Sequence, residues 1–316
     1  MDNRKVVIIG DGAVGSTTAY TLLLQDYVNE IVIIDVNKRK AEGDILDMKH
    51  GMPFVSPKIL KAGDYSDCKD AHVLIITAGV AQKEGETRID LLKRNLKVFD
   101  SILENVKPYI DDTMVILVVT NPVDILSYYT YKKLGIDSSR VIGSGTVLDS
   151  ARLRFLISED TEIDPRNVHA YVIGEHGDSE VSAFSVANIA ESPLLEYYTN
   201  ESNGDPRVRL NKLHDQVKNS AYEIIDKKGA TYYAIALSTA KIIETILNNQ
   251  KSVLTVSTLI TNKFNNEIDD VYLSLPAIVG NKGVIKILSL NYSYDEVLKL
   301  IESAKTLKKQ YKELNI

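Results

Sequence analysis

Cysteine is nearly missing from this 316-residue chain: Cys68 stands alone, so no intrachain disulfide can form, and the composition suits a reducing compartment. Cys68 falls in a polar run, Tyr65 to Asp70, and reads as an inert surface or edge thiol. A basic excess is missing too. The 37 Lys and Arg stand against 43 Asp and Glu, a net charge of -6, which leaves no footprint for nucleic acid or an anionic membrane. No apolar run approaches the length of a membrane span. Met1-Asp2-Asn3-Arg4-Lys5 runs straight into an apolar strand and leaves no room for a signal peptide, so a cytoplasmic location is expected. Without secretion, the glycosylation patterns at Asn200 and Asn291 carry no meaning. There are no internal repeats, no low-complexity segments and no set of residues that points to a metal. What is present is ordinary globular material, 44% hydrophobic and 25% charged, at a length that suits two domains with a well-buried core.

Val6-Val7-Ile8-Ile9 is continuously apolar, as a central parallel strand covered on both faces would be. It leads into Gly10-Asp11-Gly12-Ala13-Val14-Gly15, a G-x-G-x-x-G pattern, then a helical stretch from Ser16 to Gln25 and a second strand, Ile31 to Ile34, ending in Asp35. The glycines divide the work. Gly10 makes the tight turn, Gly12 lets backbone approach a pyrophosphate, and Gly15 lets the helix pack close to the strand. The helix N-terminus offers free N–H groups to phosphates. Asp35 lies where an acid binds adenine-ribose hydroxyls, and it would repel a 2′-phosphate, so NAD is favoured over NADP. The nearby Lys38 and Arg39 run against that preference.

The alternation continues. Helices are expected over 37–50, 87–106 and 123–134, with strands at 73–76, 114–119 and 141–143, which makes a doubly wound parallel sheet. Ligands in such sheets bind at the carboxyl ends of strands, where Asp35, Thr77-Ala78-Gly79, Asn121 and Ser144 fall. The polar loop from Val80 to Arg88, with Gly85 at its middle, suits a lid over a site, although its charges also suit a plain solvated connector. Gln82 and Arg88 are candidates on that loop.

In the second half, Ser144 to Phe155 opens a helix on which Asp149 and Arg152 share a face. Such a pair is commonly a surface ion pair of little worth. Gly174-Glu175-His176-Gly177-Asp178-Ser179-Glu180 follows a run from Val168 to Ile173 that reads as a buried strand. A lone histidine in a glycine loop is more often a turn residue than a catalyst. If Asp149 faced His176, it would orient the ring and favour its protonated form, and Arg152 on the same face could clamp a carboxylate. Arg154 points to the other side of that helix, and His169 reads as a sheet histidine. Helices are expected over 206–228, 230–247 and 294–311. Strands at 253–260, 271–275 and 283–288 read as an antiparallel part.

With these motifs assembled, the chain resembles the L-lactate and malate dehydrogenase family over nearly its whole length, and most resembles the bacterial L-lactate dehydrogenase branch. The resemblance rests on the glycine fingerprint, Thr120-Asn121-Pro122-Val123-Asp124, Leu148-Asp149-Ser150-Ala151-Arg152 and Gly174-Glu175-His176-Gly177-Asp178-Ser179. It implies a Rossmann-type doubly wound sheet over residues 1–144, binding NAD, followed by an α+β substrate-binding and catalytic domain with antiparallel strands over 145–316. His176 would be the general acid and base, and Asp149 its holder. Arg152 would bind the substrate carboxylate, and Arg88 would polarise the carbonyl. Asn121 and Thr231 would lie near the substrate. A cis bond before Pro122 is also implied. Gln82, neutral where malate dehydrogenases carry Arg, points to pyruvate and L-lactate rather than a dicarboxylate. Ala81 and Glu84 depart from the commonest family residues, Asn and Pro. Arg154 and His169 match positions that bind fructose 1,6-bisphosphate between subunits, which implies an effector-activated homotetramer. The rivals are malate or another L-2-hydroxy acid as substrate and, more distantly, a nucleotide-binding protein that has lost catalysis.

Overall fold

The structure is a computed structural model that describes residues 4–80, 85, 88–201 and 205–316. In chain order the first half is β1 (Lys5–Ile9), α1 (Ala13–Leu23), β2 (Glu30–Ile34), α2 (Lys38–His50), β3 (Ile59–Ala62), β4 (Val73–Ile76), α3 (Arg88–Val106), β5 (Val115–Val118), α4 (Val123–Leu134) and β6 (Val141–Gly143). These strands pair in parallel in the order β6-β5-β4-β1-β2-β3. β1, β4 and β5 are buried along their whole length, which is why their sequences are apolar without alternation. The short edge strand β3, two of its four residues charged or exposed, carried no such signal and was not expected.

The second half runs α5 (Val147–Thr161), β7 (Val168–His169), β8 (Val172–Ile173), β9 (Val181–Ser182), β10 (Asn188–Ile189), β11 (Ser192–Pro193), α6 (Leu194–Glu201), α7 (Pro206–Lys228), α8 (Tyr233–Leu247), β12 (Ser252–Leu254), β13 (Ser257–Ile260), β14 (Val271–Ser274), β15 (Ala277–Gly280), β16 (Gly283–Ile287) and α9 (Tyr294–Leu314). Two expected strands divide. Residues 168–173 split into β7 and β8, which pair with different partners. Residues 253–260 split at Thr255-Val256, so that β12 joins β15 and β16 while β13 pairs antiparallel with β6 and β14. The antiparallel part is therefore not one body: β13 and β14 extend the parallel sheet to eight strands.

Apolar side chains fill both faces of this sheet, and a third cluster joins α5, β7, α6 and α7. Cys68 belongs to the first cluster and is fully buried, so the expectation of a surface or edge thiol is corrected. The polar sequence around it faces solvent while the thiol turns inward, and burial pushes that thiol up to about 12. Among the described residues no helix is long and apolar enough to cross a membrane.

Candidate active site

His176 is held from three directions. Gly174, at φ +93, bridges to Ser274 of β14 through a reciprocal pair of 2.9 Å backbone hydrogen bonds. The Glu175 N–H donates to Ser303 Oγ of α9 at 2.8 Å. The His176 N–H donates to Asp124 Oδ2 of α4 at 2.7 Å. On the ring, Nδ1 lies 2.6 Å from Asp149 Oδ2 of α5. The other oxygen of the same carboxylate, Oδ1, accepts from Arg152 Nη1 at 2.8 Å. Asp149 is 2% exposed, so this is no surface ion pair. The glycine-flanked histidine is thus not a turn residue: Asp149 fixes Nδ1, and the ring lines a cleft of about 470 Å³ together with Arg152, Asn121, Ser144 and Thr231.

The electrostatics follow from burial and neighbours. Burial works against charge on His176, but the Asp149 carboxylate outweighs it, with Asp124 and Glu180 adding to the effect, and the ring is pushed up to about 9. Burial would raise the Asp149 carboxyl, yet His176 and Arg152 hold it below the usual range. Asp124 is raised to about 7, chiefly by burial. At neutral pH the arrangement is an imidazolium on a carboxylate beside a guanidinium, a proton donor next to an anion anchor. The fixed guanidinium charge also opposes a cation in this space.

The glycine loop meets the requirements of a dinucleotide. Gly12 caps α1 with no side-chain hydrogen bond, which leaves its first-turn N–H groups directed outward. A Cβ added at Gly12 would meet nothing within 4 Å, so the open side of the loop is a cradle. Helix α1 starts at Ala13 rather than Ser16, which places Ala13 and Val14 in that first turn. Asp35 closes the end of β2. Its two oxygens accept from the backbone N–H groups of Asp11 (2.6 Å) and Asn37 (2.7 Å), and a carboxylate keeps lone pairs for hydroxyl donors beyond these. Beside it lies a recess of about 170 Å³ that also touches Lys38 and Gly63. Lys38 and Arg39 are exposed, and Lys40 is the cation tied to the loop, 3.0 Å from Asp11 Oδ2.

Thr77, Gly79 and Val14 line the His176 cleft, so the two ends of the site are continuous along the strand ends. Ala78 is held by the sheet, its N–H on the Ile9 carbonyl at 2.9 Å. The peptide bond from Asn121 to Pro122 is cis. Gln82 lies outside the described residues, and so does the side chain of Arg88, whose backbone begins α3. Arg154 and His169 are not part of the cleft. Arg154 donates to the Pro165 carbonyl at 2.9 Å, and His169 is exposed on β7, which packs on α5. Three residues were not singled out from sequence. Asn95 accepts the Val80 N–H at 2.9 Å and holds the backbone just past β4. Asp124 holds the His176 backbone, and Glu180 is buried beside the ring. Burial of a polar or charged side chain is the signal that would have found them, and sequence does not show it.

Two family models match, the lactate/malate dehydrogenase NAD binding domain over residues 4–143 and the lactate/malate dehydrogenase alpha/beta C-terminal domain over residues 146–315. The chain belongs to the lactate/malate dehydrogenase family. Its cofactor is NAD, and it is an oxidoreductase. The chain is 51% identical to the L-lactate dehydrogenase of Acetivibrio thermocellus over 313 residues, covering 99% of this chain and 98% of that protein. It is 50% identical to that of a Thermoanaerobacter species, covering 99% and 100%. Among solved structures it is similar to a lactate dehydrogenase from a Medee basin deep-sea metagenome library, with TM-score 0.94, 43% identity and full coverage of both chains. It is equally similar in shape to the minor L-lactate dehydrogenase of Enterococcus mundtii, with TM-score 0.94, 41% identity and 99% coverage of each.

Proposed function

We propose that this enzyme interconverts pyruvate and L-lactate, and that His176 is its acid and base. The observation that carries the reading is the Asp149 carboxylate, which holds His176 Nδ1 with one oxygen and Arg152 with the other at the mouth of the NAD cleft. Because Nδ1 is taken, Nε2 is the nitrogen that serves the substrate oxygen. Bound NADH supplies the hydride. Arg152 anchors the substrate carboxylate, and its charge is oriented by Asp149. Protonated His176 gives its proton to the carbonyl oxygen as that oxygen becomes the hydroxyl of lactate; in the reverse direction neutral His176 removes it. Arg88 at the start of α3 is assigned to the developing oxyanion, and Asn121 and Thr231 to the substrate's surroundings. The proposed NAD contacts are Gly10, Gly12, Ala13, Val14, Gly15, Asp35, Thr77, Ala78, Gly79, Asn121 and Ser144. The proposed domain boundary lies between residues 144 and 145, with the cofactor-binding domain before it, from which Gln82, Arg88 and Asn121 reach the substrate, and the substrate-binding and catalytic domain after it.

Gln82 supports pyruvate over oxaloacetate because a neutral amide leaves a second carboxylate unpaired, and the similar proteins named L-lactate dehydrogenases point the same way. NADH absorbance with pyruvate, oxaloacetate and branched 2-oxo acids tests this. Pyruvate is expected to give the highest kcat/KM, and a preference for oxaloacetate would overturn it. Arg154 and His169, basic and turned away from the cleft, are assigned to fructose 1,6-bisphosphate between subunits of a homotetramer. The reading places the enzyme in the cytoplasm.

A further inference from the structure

Glu180 makes none of the hydrogen bonds that join Asp124, His176, Asp149 and Arg152, yet it closes the same space. It is 7% exposed, and its Oε1 has no hydrogen-bond partner among the described residues. One of its carboxylate oxygens, one of Asp149 and a ring nitrogen of His176 all lie within 4.8 Å of one another. The charged groups that face it are Asp149 and Arg152 from α5, His176 from its own loop and Lys218 from α7. Lys218 is anchored at the rim, donating to the Asp178 carbonyl at 2.6 Å. A buried carboxylate with an unpaired oxygen beside a second carboxylate is costly, and the cost is relieved by a proton. Burial first and Asp149 second push this carboxyl up to about 8, against the pull of His176, Arg152 and Lys218.

We propose that Glu180 is a positioning residue that must carry a proton for the cleft to accept an anionic 2-oxo acid. Among the groups that share its space, Asp149, Arg152 and protonated His176 sum to one positive charge, and with Glu180 neutral that charge is left to attract the substrate carboxylate. With Glu180 ionised that attraction falls by one unit of charge, and a second buried carboxylate stands beside Asp149 when the anion arrives. Substrate binding therefore takes up a proton at Glu180. Its ionisation weakens binding without removing the proton that His176 delivers. The inference rests on the assignment of His176 and Arg152 made above.

The test is KM and kcat for pyruvate, wild type against Glu180→Gln, between about pH 6 and about pH 10, with NADH binding by fluorescence as the check that the variant folds. In wild type, KM is expected to rise about tenfold per unit above about pH 8 while kcat holds. In Glu180→Gln, which is neutral throughout, that rise is delayed by about one unit, to the pH at which His176 loses its proton. Superimposed KM profiles from two active enzymes would overturn the inference and leave the lactate reading standing; failure of wild type to reduce any 2-oxo acid would overturn the reading itself. A second measurement covers a variant that does not fold. Wild type saturated with NADH and titrated with oxamate, a non-reducible pyruvate analogue, in weakly buffered solution at about pH 8 should take up about half a proton or more per site. Uptake of about a tenth of a proton, the share of His176 alone, would overturn it.

Discussion

A Cβ placed on Gly15 would lie 1.9 Å from the carbonyl oxygen of Gly10. The helix of the glycine loop is pressed so close to its own strand end that backbone fills the place of a side chain. Gly12, three residues earlier, has open space instead. The two glycines therefore fail differently. Gly15→Ala forces backbone apart and is expected to cost about 3 kcal/mol, a fall of about 10 °C in Tm. Gly12→Ala is expected to fold with Tm almost unchanged and to bind NADH at least about tenfold more weakly, because its methyl group occupies the cradle. Calorimetry and NADH fluorescence separate the two, and a Gly12→Ala protein that binds NADH normally would contradict the cradle.

Asp149→Asn keeps the shape of the side chain and removes its charge. The His176 ring then loses what holds it protonated, and the amide can set the wrong tautomer. Turnover of pyruvate at neutral pH is expected to fall by about a thousandfold, with NADH binding retained. Stopped-flow reduction with saturating pyruvate checks this; a loss of under tenfold would sink the assignment.

The raised proton affinity of His176 gives the pH dependence its sign. Reduction needs the imidazolium, which persists until the pH rises through about 9. The kcat for pyruvate is therefore expected to hold to at least that pH and then to fall about tenfold per unit. A bound substrate carboxylate shifts the fall upward, not downward. The kcat for lactate oxidation runs the other way, rising with pH until the ring is neutral. A reduction profile centred on about 6.5, the ordinary imidazole range, would contradict the role given to Asp149.

Fructose 1,6-bisphosphate is expected to lower the KM for pyruvate in wild type and to leave Arg154→Gln, His169→Gln unaffected. Arg154 also bonds the Pro165 carbonyl, so the variant's Tm must be followed alongside. Equal activity with and without the effector at low pyruvate and neutral pH removes the regulatory assignment.

Cys68 is fully buried, with its thiol pushed up to about 12 by that burial. A disulfide reagent at neutral pH should leave the native protein unlabelled and label one thiol after denaturation. Rapid labelling of the folded enzyme would refute the placement.

The parallel sheet was legible because β1, β4 and β5 are apolar on both faces and the glycine pattern has fixed spacing. The link from His176 to Asp149 was legible only as a condition, since sequence allows the two to meet and only the fold brings them to 2.6 Å. Asp124 was invisible as a contributor because its part is played through a backbone N–H, and any acceptor of the right reach would look the same in sequence. Glu180 was hidden by its composition, for a glutamate in a polar loop reads as solvated until burial is known. The division of residues 253–260 between two sheets was equally hidden, since Thr255-Val256 is as strand-like as its neighbours.

The attachment of β13 and β14 to β6 bears on how the molecule is made. Until β13 has been synthesised, β6 is an open edge with unpaired backbone groups, and until Ser274 has been, the bridge that seats the loop of His176 cannot form. The cofactor half of the nascent chain is therefore unfinished on its own: Ser257 of β13 must meet Gly143 of β6, and Ser274 of β14 must receive the histidine loop. A ribosome-bound fragment ending near residue 144 would be sticky along that edge, and catalytic competence waits until residue 274 has been made.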